Sequence, residues 1–302
     1  MKVCALGLCW LLSVLAVAAQ VTVEVNQDQD QFLQGEALPV AVRITNRSGQ
    51  PLDLGAGNDW LTFNLQDRDG RVVAKLGEVP VAGEFTLDSS MAATKHVDLQ
   101  PYFVLNDPGR YGIIATLKIK AWDKEIDSPI RYFDIIEGAK LWEQEVGVPR
   151  PPGSPPEVRK YTLQQANYIR GQLRMYLRVS DAYGRAIRVC AIGPMVSFGQ
   201  PETQVDRLSQ LHVLYQNGPS TFSYTVFNLN GDNLIRQTYL YIDTRPRLRM
   251  DDDANVLVQG GTRKVTPNDF PPPSASEILA PAVVTQPDNP GSNVAKAKKS
   301  KS

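Results

Sequence analysis

The sequence has few of the residues that carry crosslinks, metals or catalysis. Its 302 residues include only three cysteines and two histidines. Cys4 and Cys9 lie in an N-terminal apolar segment, so the rest of the chain keeps only Cys190, which cannot form an intramolecular disulfide. No Cys/His spacing typical of zinc and no Gly-x-Ser-x-Gly elbow occurs. We therefore expect no metal site, no cofactor and no catalytic site, and we interpret Cys190 as buried apolar filler.

Long apolar runs are also absent beyond the N-terminus. A positively charged start leads into an apolar run from Val3 to Val17, and Ala16-Val17-Ala18 fits the small-x-small pattern of signal cleavage. The run is at the short end for spanning about 30 Å of hydrocarbon, which favours a cleaved signal over an uncleaved anchor. Residues 1–19 are therefore predicted to be a signal peptide, cleaved next to Ala18 and Ala19, and the protein to be periplasmic or extracellular.

Proline-rich stretches divide the rest of the chain. Five prolines fall between residues 149 and 157, which is typical of a semi-rigid linker. Beyond residue 268 the sequence is rich in proline, serine and lysine and cannot bury enough apolar surface to offset its ordering entropy. We therefore predict a first domain at 20–148, a linker at 149–157, a second domain at 158–268 and a disordered tail at 269–302.

The formal net charge of zero conceals opposite charges in the two halves. Residues 20–150 carry 13 basic and 20 acidic side chains, a net −7, whereas residues 158–268 carry 14 and 8, a net +6. This complementarity permits docking of one half on the other or head-to-tail self-association, although salt screens charges beyond about 8 Å. Two unrelated solvated surfaces are the simpler explanation. A nucleic-acid partner is not expected for an exported protein.

The first domain has the alternating pattern of a β-sandwich. Apolar residues from Leu38 to Ile44 alternate with polar or small ones, and Asp107-Pro108-Gly109-Arg110-Tyr111 fits the tyrosine corner, in which the hydroxyl bonds back to upstream backbone. On these residues the domain resembles the immunoglobulin-like sandwich of bacterial exported proteins, without the cysteine pair of antibody domains. The resemblance implies a fold and not a function. Further strands are predicted at Trp60–Leu65 with a return at Val72-Val73, at Gly112–Ala121 and at Ile130–Ile136.

The second domain contains a repeat with a period of about fifty residues. Each unit is a hairpin with a glycine-containing turn, followed by a shorter strand. The two units are Leu173–Val179 with Ile187–Ile192, then Gln210–Tyr215, and Phe222–Phe227 with Leu234–Tyr241, then Asn255–Val258. This order is similar to blades of sialidase-type β-propellers, but a closed propeller needs about four or more blades. We therefore predict an antiparallel β module of two blade-like hairpin units, either open or completed by several chains. Two ordinary hairpins are the alternative.

One candidate partner-binding face lies on the first of these hairpins. Arg174, Tyr176 and Arg178 alternate with apolar residues, so all three are expected on one side of a strand. An Arg-Tyr-Arg face suits phosphate, carboxylate or an acidic partner. The same pattern also fits the polar side of a half-buried sheet.

Three other features have ordinary structural explanations. Asp251-Asp252-Asp253 suggests calcium, but it lacks the turn glycine and the distal glutamate of a calcium loop, so we predict a solvated turn. His212 alternates with apolar residues on a strand and is predicted to be structural or exposed. His96 is predicted to lie in a loop.

These features favour a non-enzymatic exported protein that binds a protein or an envelope surface. A protease inhibitor of the bacterial sandwich type is one alternative, with Gly77–Ser90 as its exposed loop. A glycan-binding or carbohydrate-active protein is another, suggested by the propeller resemblance and by Tyr168, Tyr176 and Tyr183.

Overall fold

A computed structural model describes residues 21–148, 151, 153–154, 157–168, 171–196 and 199–273. Strands dominate this part of the chain, which contains no α-helix and has single-turn 3-10 helices, such as those at Gln100–Tyr102 and Lys120–Trp122. No helix within the described ranges is long and apolar enough to cross a membrane. The prediction of an all-β protein is confirmed. The predicted signal peptide with Ala18 and Ala19, most of the predicted linker and the predicted tail beyond residue 273 lie outside the described residues.

The chain divides into two compact units, Met1–Glu137 and Gly138–Ser302. The sequence had suggested a first domain that continues to residue 148. The strand at Ala139–Gly147 pairs along its length with Val158–Tyr168, and this pairing groups it with the second unit. At the other end, Asp269 is buried and Phe270 pairs with Arg236, so the second unit includes the start of the predicted tail.

Ten strands form the first unit within the described residues. They are β1 (Val21–Asn26), β2 (Gln31–Leu33), β3 (Pro39–Asn46), β4 (Leu52–Leu54), β5 (Leu61–Asp67), β6 (Phe85–Leu87), β7 (Ala92–Asp98), β8 (Gly109–Ile119), β9 (Lys124–Asp127) and β10 (Arg131–Ile136). One sheet has the order β1-β3-β7, and a second has the order β2-β10-β8-β5 with β9 beside β8. The β2–β10 pair is parallel and the other pairs are antiparallel. The short strands β4 and β6 pair with each other.

Both sheets of the first unit contribute to one hydrophobic core. Alternate residues of β3 and β8, such as Val42 and Ile113, are fully buried in the same cluster. The Tyr111 hydroxyl donates to the carbonyl oxygen of Asp107 at 2.8 Å, so the predicted corner is formed. The predicted return at Val72-Val73 is present as a short antiparallel pairing: Val72 forms an isolated bridge to Gln66, and the Val73 N–H donates to the Leu65 carbonyl oxygen at 2.8 Å. The prediction of a loop at His96 is wrong, because this residue lies on β7.

The second unit contains two larger sheets and a separate hairpin. Its strands are β11 (Ala139–Gly147), β12 (Val158–Tyr168), β13 (Gln172–Asp181), β14 (Ala186–Pro194), β15 (Glu202–Val205), β16 (Leu211–Gln216), β17 (Thr221–Phe227), β18 (Asn233–Leu240), β19 (Arg247–Met250), β20 (Val256–Gln259) and β21 (Thr262–Lys264). The four-stranded sheet has the order β11-β12-β13-β14 and the five-stranded sheet the order β15-β16-β17-β18-β21. Strands β19 and β20 pair only with each other within this part of the structure.

The five-stranded sheet of the second unit is covered on both faces. One face shares a core with the four-stranded sheet, and this core includes Leu177 of β13 and Val213 of β16. The other face packs against the β19–β20 hairpin through residues such as Tyr224 and Leu248. Strand β16 is therefore buried continuously from Leu211 to Tyr215, including His212, because both of its faces are covered.

The two predicted hairpins are present as β13–β14 and β17–β18. They belong to different sheets that share one core. The third strand of each predicted unit pairs differently from the repeat: β16 lies between β15 and β17, and β20 pairs with β19. The internal repeat is therefore a repeat of hairpins within two sheets.

Candidate functional site

The predicted Arg-Tyr-Arg face lies on β13, which is an inner strand of the four-stranded sheet. As predicted, the alternate residues Met175, Leu177 and Val179 point into the core. On the opposite face Tyr176 is only 2% exposed, and Arg174 and Arg178 are half-buried. Burial lowers the pKa of the Arg178 guanidinium. The three side chains thus share a face, but its centre is closed and does not offer Tyr176 to a partner.

Five loops in the described structure share one hydrogen-bond pattern. In each, the side-chain oxygen of the first residue, i, accepts hydrogen bonds from the backbone N–H groups of residues i+2 and i+4. Residue i+3, the fourth residue of each loop, has a positive φ, a conformation that favours glycine. The loops begin at Asp67, Asp181, Asp206, Asn228 and Asp251, and their fourth residues are Gly70, Gly184, Ser209, Gly231 and Ala254. We call these the Asx loops.

The Asx loop at Asp251 contains the acidic run Asp251-Asp252-Asp253 that suggested calcium. One Asp251 carboxylate oxygen accepts two backbone N–H groups, and the other accepts the Asn255 side-chain amide at 3.0 Å. The hydrogen bond from Asn255 is the main reason that the pKa of Asp251 lies below its usual range. Both oxygens are thus occupied by the loop itself, and the described residues contain no cluster of three or more metal-ligating side chains. The prediction of a turn is confirmed.

The most exposed aromatic side chain among the described residues sits on the Asx loop between β13 and β14. Tyr183 is 86% exposed, and the guanidinium carbon of Arg185 lies 5.6 Å from the centre of its ring. Arg185 also forms an ion pair with Asp181 at 2.7 Å, so its guanidinium contacts both the first residue of the loop and the Tyr183 ring. Of the three tyrosines singled out in the sequence, Tyr176 is buried and the side chain of Tyr168 lies outside the described set.

A β-bulge follows this loop on the edge strand β14. Val179 is paired with Arg188 and Ser180 with Ala186, so Ile187 is an extra residue without a partner on β13. Ile187 is 42% exposed. Arg188 forms an ion pair at 2.5 Å with Asp232, which belongs to the Asx loop between β17 and β18. We call residues 181–188 the hairpin tip. It combines an exposed tyrosine, an exposed isoleucine and two arginines.

The tip is positioned by the neighbouring loop. A Cβ atom added at Gly231 would lie 3.1 Å from Val179 and 3.1 Å from Arg188, so the loop packs closely on the base of the β13–β14 hairpin. Cys190 also faces this loop, with its sulfur 3.9 Å from the Gly231 carbonyl oxygen. The prediction of Cys190 as filler agrees with its place beside the core of the second unit.

A buried polar array lies on the other face of the five-stranded sheet. His212 is 6% exposed, and its Nδ1 and Nε2 atoms lie 2.7 Å from the Tyr224 hydroxyl and 3.2 Å from an Asp206 carboxylate oxygen. Burial lowers the pKa of His212, and the charge of Asp206 opposes this effect. Burial raises the pKa of Tyr224. Of the two alternatives that the sequence left open for His212, the structure supports the structural one, because both ring nitrogens have partners in the interior.

The segment Gly77–Ser90, suggested as an inhibitory loop, is anchored at several points. Val79 and Val81 are buried in the core of the first unit, and the Trp60 indole donates to the Val81 carbonyl oxygen at 2.7 Å. Strand β6 within this segment pairs with β4. These contacts anchor the segment at Val79, Val81 and β6, and most of its other residues are exposed.

Comparison with known proteins adds little to this picture. No protein-family model matches the sequence, and no curated protein matches it. Among solved structures, the chain is similar to the crystal structure of Spo0M, a sporulation control protein from Bacillus subtilis. The similarity has 12% identity and a TM-score of 0.28, and covers 57% of this chain and 89% of that one. A TM-score of this size carries no argument, so the function is argued from the residues described above.

Proposed function

We propose that this chain is an exported, non-enzymatic protein that binds an acidic protein partner through the hairpin tip of its second unit. The single observation that carries this proposal is the exposure of Tyr183 on a loop that fixes its position. Tyrosine and arginine are the residues that most often dominate binding energy at protein interfaces. The row Arg174, Tyr176, Arg178 is proposed as support for this hairpin rather than as the contact surface.

The composition of the tip determines what kind of partner fits. Tyr183 and Ile187 offer apolar area, and Arg185 and Arg188 offer guanidinium groups at its border. The surface ion pairs of these arginines are weak and exchange readily with a partner's carboxylates. The second domain also carries the excess of basic residues counted above, which favours the approach of an acidic surface.

Export and the fold of the first unit belong to the same proposal. Two sheets around one core, together with the hydrogen bond of the Tyr111 corner, support an immunoglobulin-like sandwich. The Ala16-Val17-Ala18 pattern supports cleavage beside Ala18 and Ala19 and a periplasmic or extracellular location. N-terminal sequencing of the secreted protein tests this step, because a first residue other than Ala19 or Gln20 contradicts it.

The binding test uses the full mature chain immobilised and exposed to the envelope fraction of its own cell. A partner that binds at the tip is retained by the unaltered protein and identified by mass spectrometry. We expect Tyr183→Ala to weaken binding of the purified partner by about thirtyfold, the size expected for a central aromatic contact. Ile187→Ala has a smaller effect in the same direction.

Tyr132→Ala is the matched control, because Tyr132 is a half-exposed tyrosine on β10 of the first unit. Its replacement removes a ring of the same size far from the tip in the sequence. Equal affinity in Tyr183→Ala and Tyr132→Ala contradicts the assignment to the tip. The absence of any retained protein contradicts the binding function as a whole.

A further inference from the structure

The face of the five-stranded sheet that shares a core with the four-stranded sheet carries a row of polar residues. Thr225 on β17 is paired across the strands with Arg236 on β18, and Tyr215 on β16 is paired with Ser223 on β17. Paired residues of antiparallel strands, and alternate residues of one strand, lie on the same face. Tyr215 belongs to the core shared with the four-stranded sheet, so all four residues are on that side. We call these four residues the polar row.

Two atoms of the polar row are buried and unpaired. Thr225 has no exposed surface, and its hydroxyl oxygen has no hydrogen-bond partner. The Nε atom of Arg236 is also buried without a partner. Native proteins rarely leave such atoms unsatisfied, because their desolvation is then uncompensated. The Thr225 hydroxyl and the Arg236 Nε atom are two of several such atoms in the described structure, and these two belong to paired residues on one face of the same sheet.

The charge of Arg236 also favours a bound anion. Arg236 forms no ion pair with any carboxylate in the described part of the chain. Two other half-buried arginines of the second unit do so, since Arg159 pairs with Glu157 and Arg263 with Asp269. A half-buried guanidinium without a counter-charge is unfavourable. Within the described residues, the Arg236 guanidinium therefore lacks a counter-charge.

The opposite sheet approaches the row closely at Gly193. A Cβ atom added at Gly193 of β14 would lie only 2.6 Å from the Tyr215 hydroxyl oxygen, so this ring fits because residue 193 has no side chain. Burial raises the pKa of Tyr215, which keeps its hydroxyl protonated and able to donate. Arg236 retains partial exposure, which provides a route from solvent.

We propose that the polar row binds a small oxyanion, a carboxylate or a phosphate-type group. The Arg236 guanidinium supplies the counter-charge, and the Thr225 and Tyr215 hydroxyls donate hydrogen bonds to the oxygens of the ligand. The site lies within the second unit and does not depend on the partner proposed for the hairpin tip.

The test is a thermal-unfolding titration of the mature full-length protein with sodium phosphate, sodium acetate and sodium chloride at matched ionic strength. We expect phosphate or acetate to raise the melting temperature with saturation, because a ligand of the native state stabilises it. A response to phosphate alone assigns the phosphate-type group, and a response to acetate alone assigns the carboxylate. Chloride serves as the ionic-strength control and produces no saturable change.

Two variants locate the response. Arg236→Met is expected to weaken the apparent affinity at least tenfold, whereas Arg249→Met, which removes an exposed arginine of β19, leaves it unchanged. Thr225→Val is expected to weaken it about fivefold while leaving the melting temperature without anion equal or higher, since an unpaired hydroxyl is removed. If Arg236→Met does not fold, Thr225→Val alone tests whether the polar row binds the anion.

Two outcomes overturn the proposal. One is the lack of a saturable response to both oxyanions, in which case ordered water is the partner of Thr225 and Arg236. The other is an equal response in the unaltered protein and in Thr225→Val.

Discussion

His212 is held through both of its ring nitrogens, and at the scale of single residues this makes it sensitive to protonation. Its partners are Asp206 in a loop and Tyr224 on the next strand, and the Tyr224 ring in turn meets the Tyr239 ring edge-on. The sequence indicated a strand and an inward or outward position for His212. It did not indicate the partners, because Asp206 lies in an Asx loop without glycine and Tyr224 is reached only through strand pairing.

The first prediction concerns pH. The native pKa of His212 lies below the reference value of 6.5, so between these two values the unfolded chain binds more protons than the native one. The free energy of unfolding therefore falls as the pH is lowered below about 6.5, and levels off above it, with a slope of at most about 1.4 kcal/mol per pH unit for one proton. Urea denaturation of the unaltered protein and of His212→Gln between pH 5 and 8 measures it. We expect the variant to lose this slope.

His96→Gln is the control for this measurement. His96 is exposed on β7, so its replacement removes a histidine without breaking a buried contact. If both glutamine variants change the pH profile by the same amount, His212 is not the source of the effect.

The second prediction concerns residues other than glycine with positive φ. Ala254 has a φ of 59° and Ser209 a φ of 60°, a region that costs side-chain-bearing residues about 1–2 kcal/mol. We expect Ala254→Gly to raise the free energy of unfolding by up to about 1 kcal/mol. This is a net gain, because the relief of backbone strain is partly offset by the greater entropy that glycine gives the unfolded chain. Ser209→Gly gains less, because the Ser209 hydroxyl donates to the Gly147 carbonyl oxygen. Chemical denaturation measures both.

Ser220→Gly is the comparison for this pair. Ser220 is exposed in the turn before β17 and is not among the residues with positive φ. It is expected to lose stability. A gain there as large as in Ala254→Gly contradicts the conformational explanation.

At the scale of elements, the Asx loops show which parts of a hairpin can be predicted from local sequence. Asp67 with Gly70, and Asn228 with Gly231, are recognisable because an acidic or amide side chain precedes a glycine by three residues. The loops at Asp206 and Asp251 lack this glycine and adopt the same pattern. Strand positions followed from alternation, whereas the pairing of β16 and β20 did not, because pairing depends on distant partners.

The third prediction separates the conformation of a loop from its packing. Gly70 and Gly231 have nearly equal φ values, 80° and 79°, but a Cβ atom at Gly70 meets nothing within 4 Å, whereas one at Gly231 meets Val179 and Arg188. We expect Gly70→Ala to cost about 1 kcal/mol from backbone strain alone. Gly231→Ala costs at least about 1 kcal/mol more, because tight packing adds to the strain. Denaturant titration of both variants measures the difference, and equal costs contradict the packing contribution.

At the scale of the whole molecule, the boundary between the two units depends on one strand. The prolines after residue 148 suggested that the first domain includes Ala139–Gly147, but these residues form β11 of the four-stranded sheet. Val146 on this strand is buried in the core of the second unit. Composition locates a linker, but it does not show which side a preceding strand joins, because β11 is mostly exposed and carries little apolar pattern. The burial of Tyr176 was likewise not predictable, because the alternating pattern of its strand does not show what covers the polar face.

The fourth prediction tests this boundary by expressing the second unit alone. Residues 138–273 are expected to unfold cooperatively, because they keep all four strands of the sheet. Residues 149–273 lose β11 and the buried Val146, and are expected to be less stable by at least about 2 kcal/mol. Thermal unfolding followed by circular dichroism compares the two. Equal melting temperatures contradict the assignment of β11 to the second unit.

The parallel pairing of β2 with β10 affects the order in which the first unit folds as the chain is synthesised. Gln31–Leu33 can pair only when Asp134–Ile136 is present, so the first and last parts of the first unit close one sheet together. Contacts so distant in sequence form late and make folding slow. A chain that emerges from its N-terminus therefore cannot complete this sheet until almost the whole first unit has appeared.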